Sequence, residues 1–230
     1  MSGNRQGCRI LLKGCTLNGY LYHPLFLMHN HCKMNFLAHA YLSFGRPEIL
    51  VGNMISDFVK GKKKFDYTAG IQAGMQLHRA IDTFTDAHPA TKAAAIYLKP
   101  AVGAYAGAFV DVVYDHFLAN DINEFKEGGL QQTITEMYAI LYAFNDQLPV
   151  VFGQMLPYMT SQNWLFNYRT LDGIEKSFGG VVRRAAYLQS SSGVFHLFQQ
   201  NYTALQNCYN DFFPDVKAYA STYLQTLQNP

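Results

Sequence analysis

Cysteine is almost missing from the body of this chain. Of four cysteines, Cys8, Cys15 and Cys32 fall within the first 33 residues and Cys208 stands alone, with no CxxC pair anywhere. That distribution supports neither a disulfide framework nor a cysteine zinc site, and the expected compartment is a reducing cytoplasm. Long apolar runs are missing as well. The longest, Ala101 to Val110, falls far short of the roughly 20 residues that span a bilayer, so no transmembrane segment is expected. The short stretches Ile10 to Leu12 and Leu25 to Met28 lack the continuous apolar segment of a secretory signal. Charge of one sign is also scarce. Arg5, Arg9, Lys13 and Lys33 precede any acidic residue, leaving 14 basic against 16 acidic residues in the remainder. A generally basic, nucleic-acid-binding body is therefore not supported.

What is present describes a buried, helical protein. Hydrophobic residues make up 49% of the 230 and charged ones 15%, which excludes disorder and suits one sizeable domain. The 16 Tyr and 17 Phe, against one Trp, supply core volume before they suggest any ligand. Composition changes abruptly at Met34. We read residues 1–33 as a leader outside the fold, either a misassigned start or a flexible extension, and residues 34–230 as one all-α bundle. Apolar residues recur at three- and four-residue spacing, and alternating strand-like runs are scarce. The pattern predicts helices near 35–43, 47–60, 67–84, 89–97, 100–119, 122–145, 148–159, 163–170, 171–189 and 193–227, with Pro214 breaking or kinking the last.

The chemistry concentrates in the first half of the body. In AVGAYAGAFVDVVYDHFLAND the opening is small and apolar on every side, which predicts a helix buried all round, with Gly103 and Gly107 admitting a close neighbour. Asp111 and Asp115 follow four residues apart on one face, then His116. Buried carboxylates need a metal, an arginine or dense hydrogen bonding beside them. In GMQLHRAIDTFTDAHP, His78, Asp82 and Asp86 recur every four residues with Arg79 beside the first. Arg79 suits either a phosphate or a salt bridge to Asp82 or Asp86; Asp86 and His88 suit the end of the helix and its turn as well as a site. MNFLAHAYLSFG adds His39, and VGNMISDFVKG adds Asn53 and Asp57. A lone histidine on an apolar face is commonly a core residue. Here, however, four of the body's five histidines lie near repeated aspartates. Imidazole with carboxylate suits zinc, manganese or iron rather than calcium. We expect His39, Asp57, His78, Asp115 and His116 to hold metal, Arg79, Asp82 and Asp111 to serve catalysis, and all but Arg79 to converge on one pocket.

The ordered blocks MNFLAHAYLS, VGNMISDFVKG, MQLHRAIDTFTDAHP, VDVVYDHFLAND and NWLFNYRTLDGIEKSFGGVVRR resemble those of the acyl carrier protein phosphodiesterase family, from Met34 to about Phe213. The resemblance implies hydrolysis of the phosphodiester joining phosphopantetheine to a carrier-protein serine, manganese as the favoured metal, a place in fatty acid metabolism, and kinship with helical HD phosphohydrolases. The chain departs from the latter in that its only adjacent pair of this kind is the reversed Asp115-His116. Lys60, Lys62, Lys63 and Lys64 would form a basic lip for an acidic carrier protein, with Arg169, Arg183 and Arg184 as further substrate-binding candidates. Trp164 and Tyr168 suit gripping the arm or filling the core. The alternatives are a metallophosphohydrolase acting on a nucleotide or small phosphoester, and a helical binding protein without catalysis.

Overall fold

Helix starts follow the chemistry of their first residues. In the computed structural model, which describes residues 36–228, eleven α-helices and no strand occur among the described residues. They are α1 (Phe36–Tyr41), α2 (Pro47–Ile55), α3 (Ala69–Ala87), α4 (Pro89–Val102), α5 (Ala106–Ala119), α6 (Gly129–Ala143), α7 (Val150–Ser161), α8 (Trp164–Asn167), α9 (Leu171–Arg184), α10 (Ser192–Gln200) and α11 (Tyr202–Gln228). Pro47 and Pro89 open α2 and α4, where a missing N–H costs nothing. Thr68 and Thr170 cap α3 and α9 by accepting from the N–H groups of Ile71 and Gly173. The leader boundary expected at Met34 lies outside the described residues.

The structure corrects several expected boundaries. Pro100 does not begin a helix; it sits in the last turn of α4, which ends at Gly103 with φ 56°, a conformation that costs glycine little and other residues more. Small residues at the start of the next segment are not buried all round either, since Ala101, Gly103 and Ala104 are exposed, whereas Phe109 to Ala119 on α5 are all buried. A Cβ at Gly107 would meet nothing within 4 Å, so no helix packs closely there. The final segment is interrupted at Asn201, between α10 and α11, while α11 continues through Pro214. Residues 122–128, expected to be helical, form a connection that ends at Gly128 with φ 74°.

One hydrophobic cluster runs from Phe36 on α1 to Leu224 on α11. α5 lies inside it, packed against α1, α4, α9 and α11. The connection after α5 is strapped down by Tyr41 and Lys217, which both donate to Glu124, and by Tyr209, which donates to Asp121. One helical stretch, Pro89–Ala119, is long and apolar enough by length and composition to cross a membrane. It is divided by the turn Gly103–Tyr105.

Candidate metal centre

α2 and α3 meet backbone to backbone at Gly52 and Gly74. A Cβ on Gly52 would stand 2.0 Å from the Ile71 carbonyl oxygen, and one on Gly74 would stand 2.3 Å from that of Ile49. Only glycine permits this approach. It seats the end of α2, and Asp57 in the turn that follows, against His78 one helical turn beyond Gly74. α1 supplies His39 from the other side.

These elements gather four of the expected residues. The His39 and His78 rings stack with centroids 4.0 Å apart and planes 24° apart. His39 Nε2 lies 3.3 Å from Asp82 Oδ1, and His78 Nε2 lies 3.3 Å from Asp57 Oδ1 and 3.7 Å from Asp82 Oδ2. One ligand atom each from His39, His78 and Asp82 lie within 4.8 Å of one another, so the three could hold a single ion. The imidazoles are sunk, with 3% and 7% of their side chains exposed, while Asp82 and Asp57 reach the solvent edge at 23% and 21%. Burial, and then the neighbouring His78 ring, hold the His39 imidazole below its usual pKa. It is thereby kept in the neutral form that ligates metals.

The residues fit a divalent cation. His39 Nε2, which faces Asp82, is buried without a hydrogen-bond partner, an arrangement that folded proteins seldom tolerate unless something else occupies the nitrogen. Two imidazoles with one or two carboxylates form a donor set for zinc, manganese or iron.

The other expected ligands are engaged elsewhere. Asp115 Oδ1 accepts from the Ala38 N–H at 2.8 Å and Oδ2 from the Leu37 N–H at 3.1 Å. Burial pushes its carboxyl well above the usual range, against the pull of those two N–H groups and the Tyr168 hydroxyl. His116 bonds through Nδ1 to the Tyr168 carbonyl at 2.7 Å and through Nε2 to the Tyr202 hydroxyl at 3.0 Å, joining α5 to the turn after α8 and to α11. Burial holds its imidazole below the usual value. Asp111 is 3% exposed, and it borders a small, partly open pocket with Ala38, Ile81, Thr85 and Tyr114. Of the seven residues expected to converge, His39, His78 and Asp82 are thus in mutual contact, and Asp57 joins them through His78. Of the three on α5, Asp115 holds the start of α1 next to His39, while His116 bonds away from the cluster.

The cationic candidates lie at the surface. Arg79 is exposed beside His78 on α3. Lys60 begins three residues after Asp57, and the rest of the run occupies a 3-10 turn, Gly61–Asp66. Lys60, Lys62 and Lys63 are exposed. The Lys64 ammonium lies 4.9 Å from the centroid of the Phe65 ring, which is itself 63% exposed. Arg169 is exposed, with its guanidinium 4.4 Å from the Phe166 ring centroid. Arg183 and Arg184 occupy the last turn of α9, near its carbonyl end. Tyr168, by contrast, is a core residue at 3% exposure. His88 caps α4 by accepting from the Ala90 N–H. Sequence reasoning missed the Gly52 and Gly74 contact. The available signal was a glycine inside each of the two helices that carry ligand candidates.

A family model for acyl carrier protein phosphodiesterase matches residues 34–216. The chain belongs to this family. A protein of that name from Yersinia pestis is 29% identical over 184 residues, covering 80% of this chain and 95% of the relative. Its counterpart in Yersinia enterocolitica is 30% identical over 188 residues, covering 81% and 97%. One from Shigella boydii is 30% identical over 189 residues, covering 82% and 98%. No solved structure matches the chain. Every residue of the His39, Asp57, His78 and Asp82 cluster falls inside the span matched by the family model.

Proposed function

We propose that this chain is a metal-dependent phosphodiesterase that cleaves the 4′-phosphopantetheine–serine phosphodiester of holo acyl carrier protein, releasing apo carrier protein and 4′-phosphopantetheine. The observation that carries the reading is the His39, His78 and Asp82 cluster, found in a chain whose family and curated relatives bear that enzyme's name. His39, His78 and Asp82 would hold a manganese or similar divalent ion, with Asp57 at its edge. Such an ion supplies Lewis acidity toward phosphoryl oxygens and lowers the pKa of bound water.

The chain's own groups do the rest. The sunken His39 imidazole stays neutral, and the carboxylates at the solvent edge leave the open side toward which a phosphodiester can approach. Arg79, exposed beside His78, neutralises charge that spreads over the phosphate oxygens. Lys60, Lys62, Lys63 and Lys64 guide the acidic carrier protein in, with Arg169, Arg183 and Arg184 as a second basic region. The reading places the enzyme in cytoplasmic fatty acid metabolism.

Incubating the purified full chain with holo carrier protein and Mn2+, then weighing the carrier intact, tests the proposal. The carrier should lose the whole phosphopantetheine mass, and a chelator should abolish the loss. An unchanged carrier alongside hydrolysis of a nucleotide or other small phosphoester would replace the substrate. No hydrolysis of either would leave a binding protein.

A further inference from the structure

Asn53 on α2 is fully buried, and both ends of its amide are used. Its Nδ2 donates to the His39 carbonyl at 2.7 Å and to Ser43 Oγ at 3.1 Å. Its Oδ1 faces His39 Nδ1 at 2.7 Å. Ser43 Oγ donates to the same His39 carbonyl at 2.9 Å, so its lone pairs are the side open to Asn53. The direction of every bond in this ring follows from chemistry. A backbone carbonyl cannot donate, so the amide end facing it must be the NH2 group. The end facing the imidazole is then an oxygen, which can only accept, and the imidazole must donate to it.

We propose that Asn53 is a positioning residue that fixes His39 as the tautomer protonated at Nδ1, leaving Nε2 as the lone-pair atom that faces Asp82 and a bound cation. This rests on the metal reading above. It also accounts for two observations at once. His39 Nε2 stands 3.3 Å from a carboxylate oxygen and yet has no hydrogen-bond partner. A lone pair facing a carboxylate is repelled unless a cation or a proton lies between them, and a cation is the occupant that the ligand set fits. Partners behind a metal-ligating histidine commonly set its tautomer and ring orientation in this way. The bond also ties the ligand on α1 to α2, the helix that leads to Asp57.

The test begins on metal-free full chain at mildly alkaline pH, with the ring nitrogens of His39 assigned by 15N NMR. The expected result is a proton on Nδ1 and none on Nε2. Asn53→Leu removes the acceptor; it should give a mixture of tautomers and weaken Mn2+ binding, followed by EPR of free Mn2+, by roughly 10–100-fold. Asn53→Asp keeps an acceptor at the same place and should retain the Nδ1 proton and bind more tightly than Asn53→Leu. Urea unfolding of each variant separates loss of positioning from loss of fold, and the wild-type tautomer is read without any variant. A proton on Nε2 in the wild type overturns the proposal, as does an unchanged tautomer or unchanged Mn2+ affinity in a folded Asn53→Leu protein. A wild-type chain that shows the Nδ1 tautomer but binds no divalent cation would overturn the metal reading, and the cation half of this proposal with it.

Discussion

Asp115 accepts from the N–H groups of Leu37 and Ala38, the residues immediately before His39, so it anchors the helix that carries His39 from 78 positions away. An asparagine there would offer one acceptor oxygen in place of two, and one of the two N–H groups would face an amide NH2. Leaving a buried donor unsatisfied costs about 1–3 kcal/mol. Asp115→Asn should therefore lower the urea midpoint while the number of Mn2+ ions bound per chain stays the same. A lost ion with unchanged unfolding would make Asp115 a ligand after all. The four-residue spacing of Asp111 and Asp115 shows that the two share a face of α5. It does not show what lies opposite, because the α1 N–H groups arrive through long-range packing. His116 carries the same lesson: its two nitrogens meet Tyr168 and Tyr202, partners that no local pattern connects to it.

At the scale of elements, proline and threonine made the starts of α2, α3, α4 and α9 legible, but glycine had to be read through its environment. Gly103 and Gly107 suggest close packing by their spacing, yet the close approach is made by Gly52 and Gly74, and Gly103 instead ends α4 through its positive φ. A Cβ on Gly74 would stand 2.3 Å from the Ile49 carbonyl oxygen and 2.9 Å from the Asn53 nitrogen, both rigid backbone. Gly74→Ala should accordingly cost about 1–3 kcal/mol or more. It should also weaken Mn2+ binding, because Asn53 rides on α2 and Asp57 directly follows it. Gly107→Ala, with open space at its Cβ, should be neutral or stabilise by about 0.4–1 kcal/mol. Chemical denaturation of the pair checks both signs. Equal stability of the two variants would mean that α2 can slide on α3 without strain, and that the glycine contact does not set the geometry of the site.

Across the whole molecule, the candidate site was legible because His39, Asp57, His78 and Asp82 come from successive elements, α1 to α3 and the turn between α2 and α3. The contribution of α5 was legible as burial and obscure as function. Charge is the other whole-molecule property visible from the start, since the body beyond residue 33 holds 14 basic and 16 acidic residues and yet places Lys60, Lys62, Lys63 and Lys64 together. The structure sets that run in a 3-10 turn starting close after Asp57, with Phe65 exposed under the Lys64 ammonium. A partner that reached this turn would therefore meet positive charge and an apolar face together. Attraction of this kind acts mainly on encounter and is screened by salt. Changing the four lysines to glutamate should raise KM for holo carrier protein and weaken the dependence of KM on ionic strength, with little change in kcat. His78→Ala should do the reverse, because removing a proposed metal ligand would take away transition-state stabilisation and leave docking intact. Steady-state kinetics at low and high salt separates the two links. If the lysine-reversed enzyme kept the wild-type KM at low ionic strength, the run would be an ordinary solvated turn, and docking would pass to Arg169, Arg183 and Arg184, where the same charge reversal and the same salt series would be read.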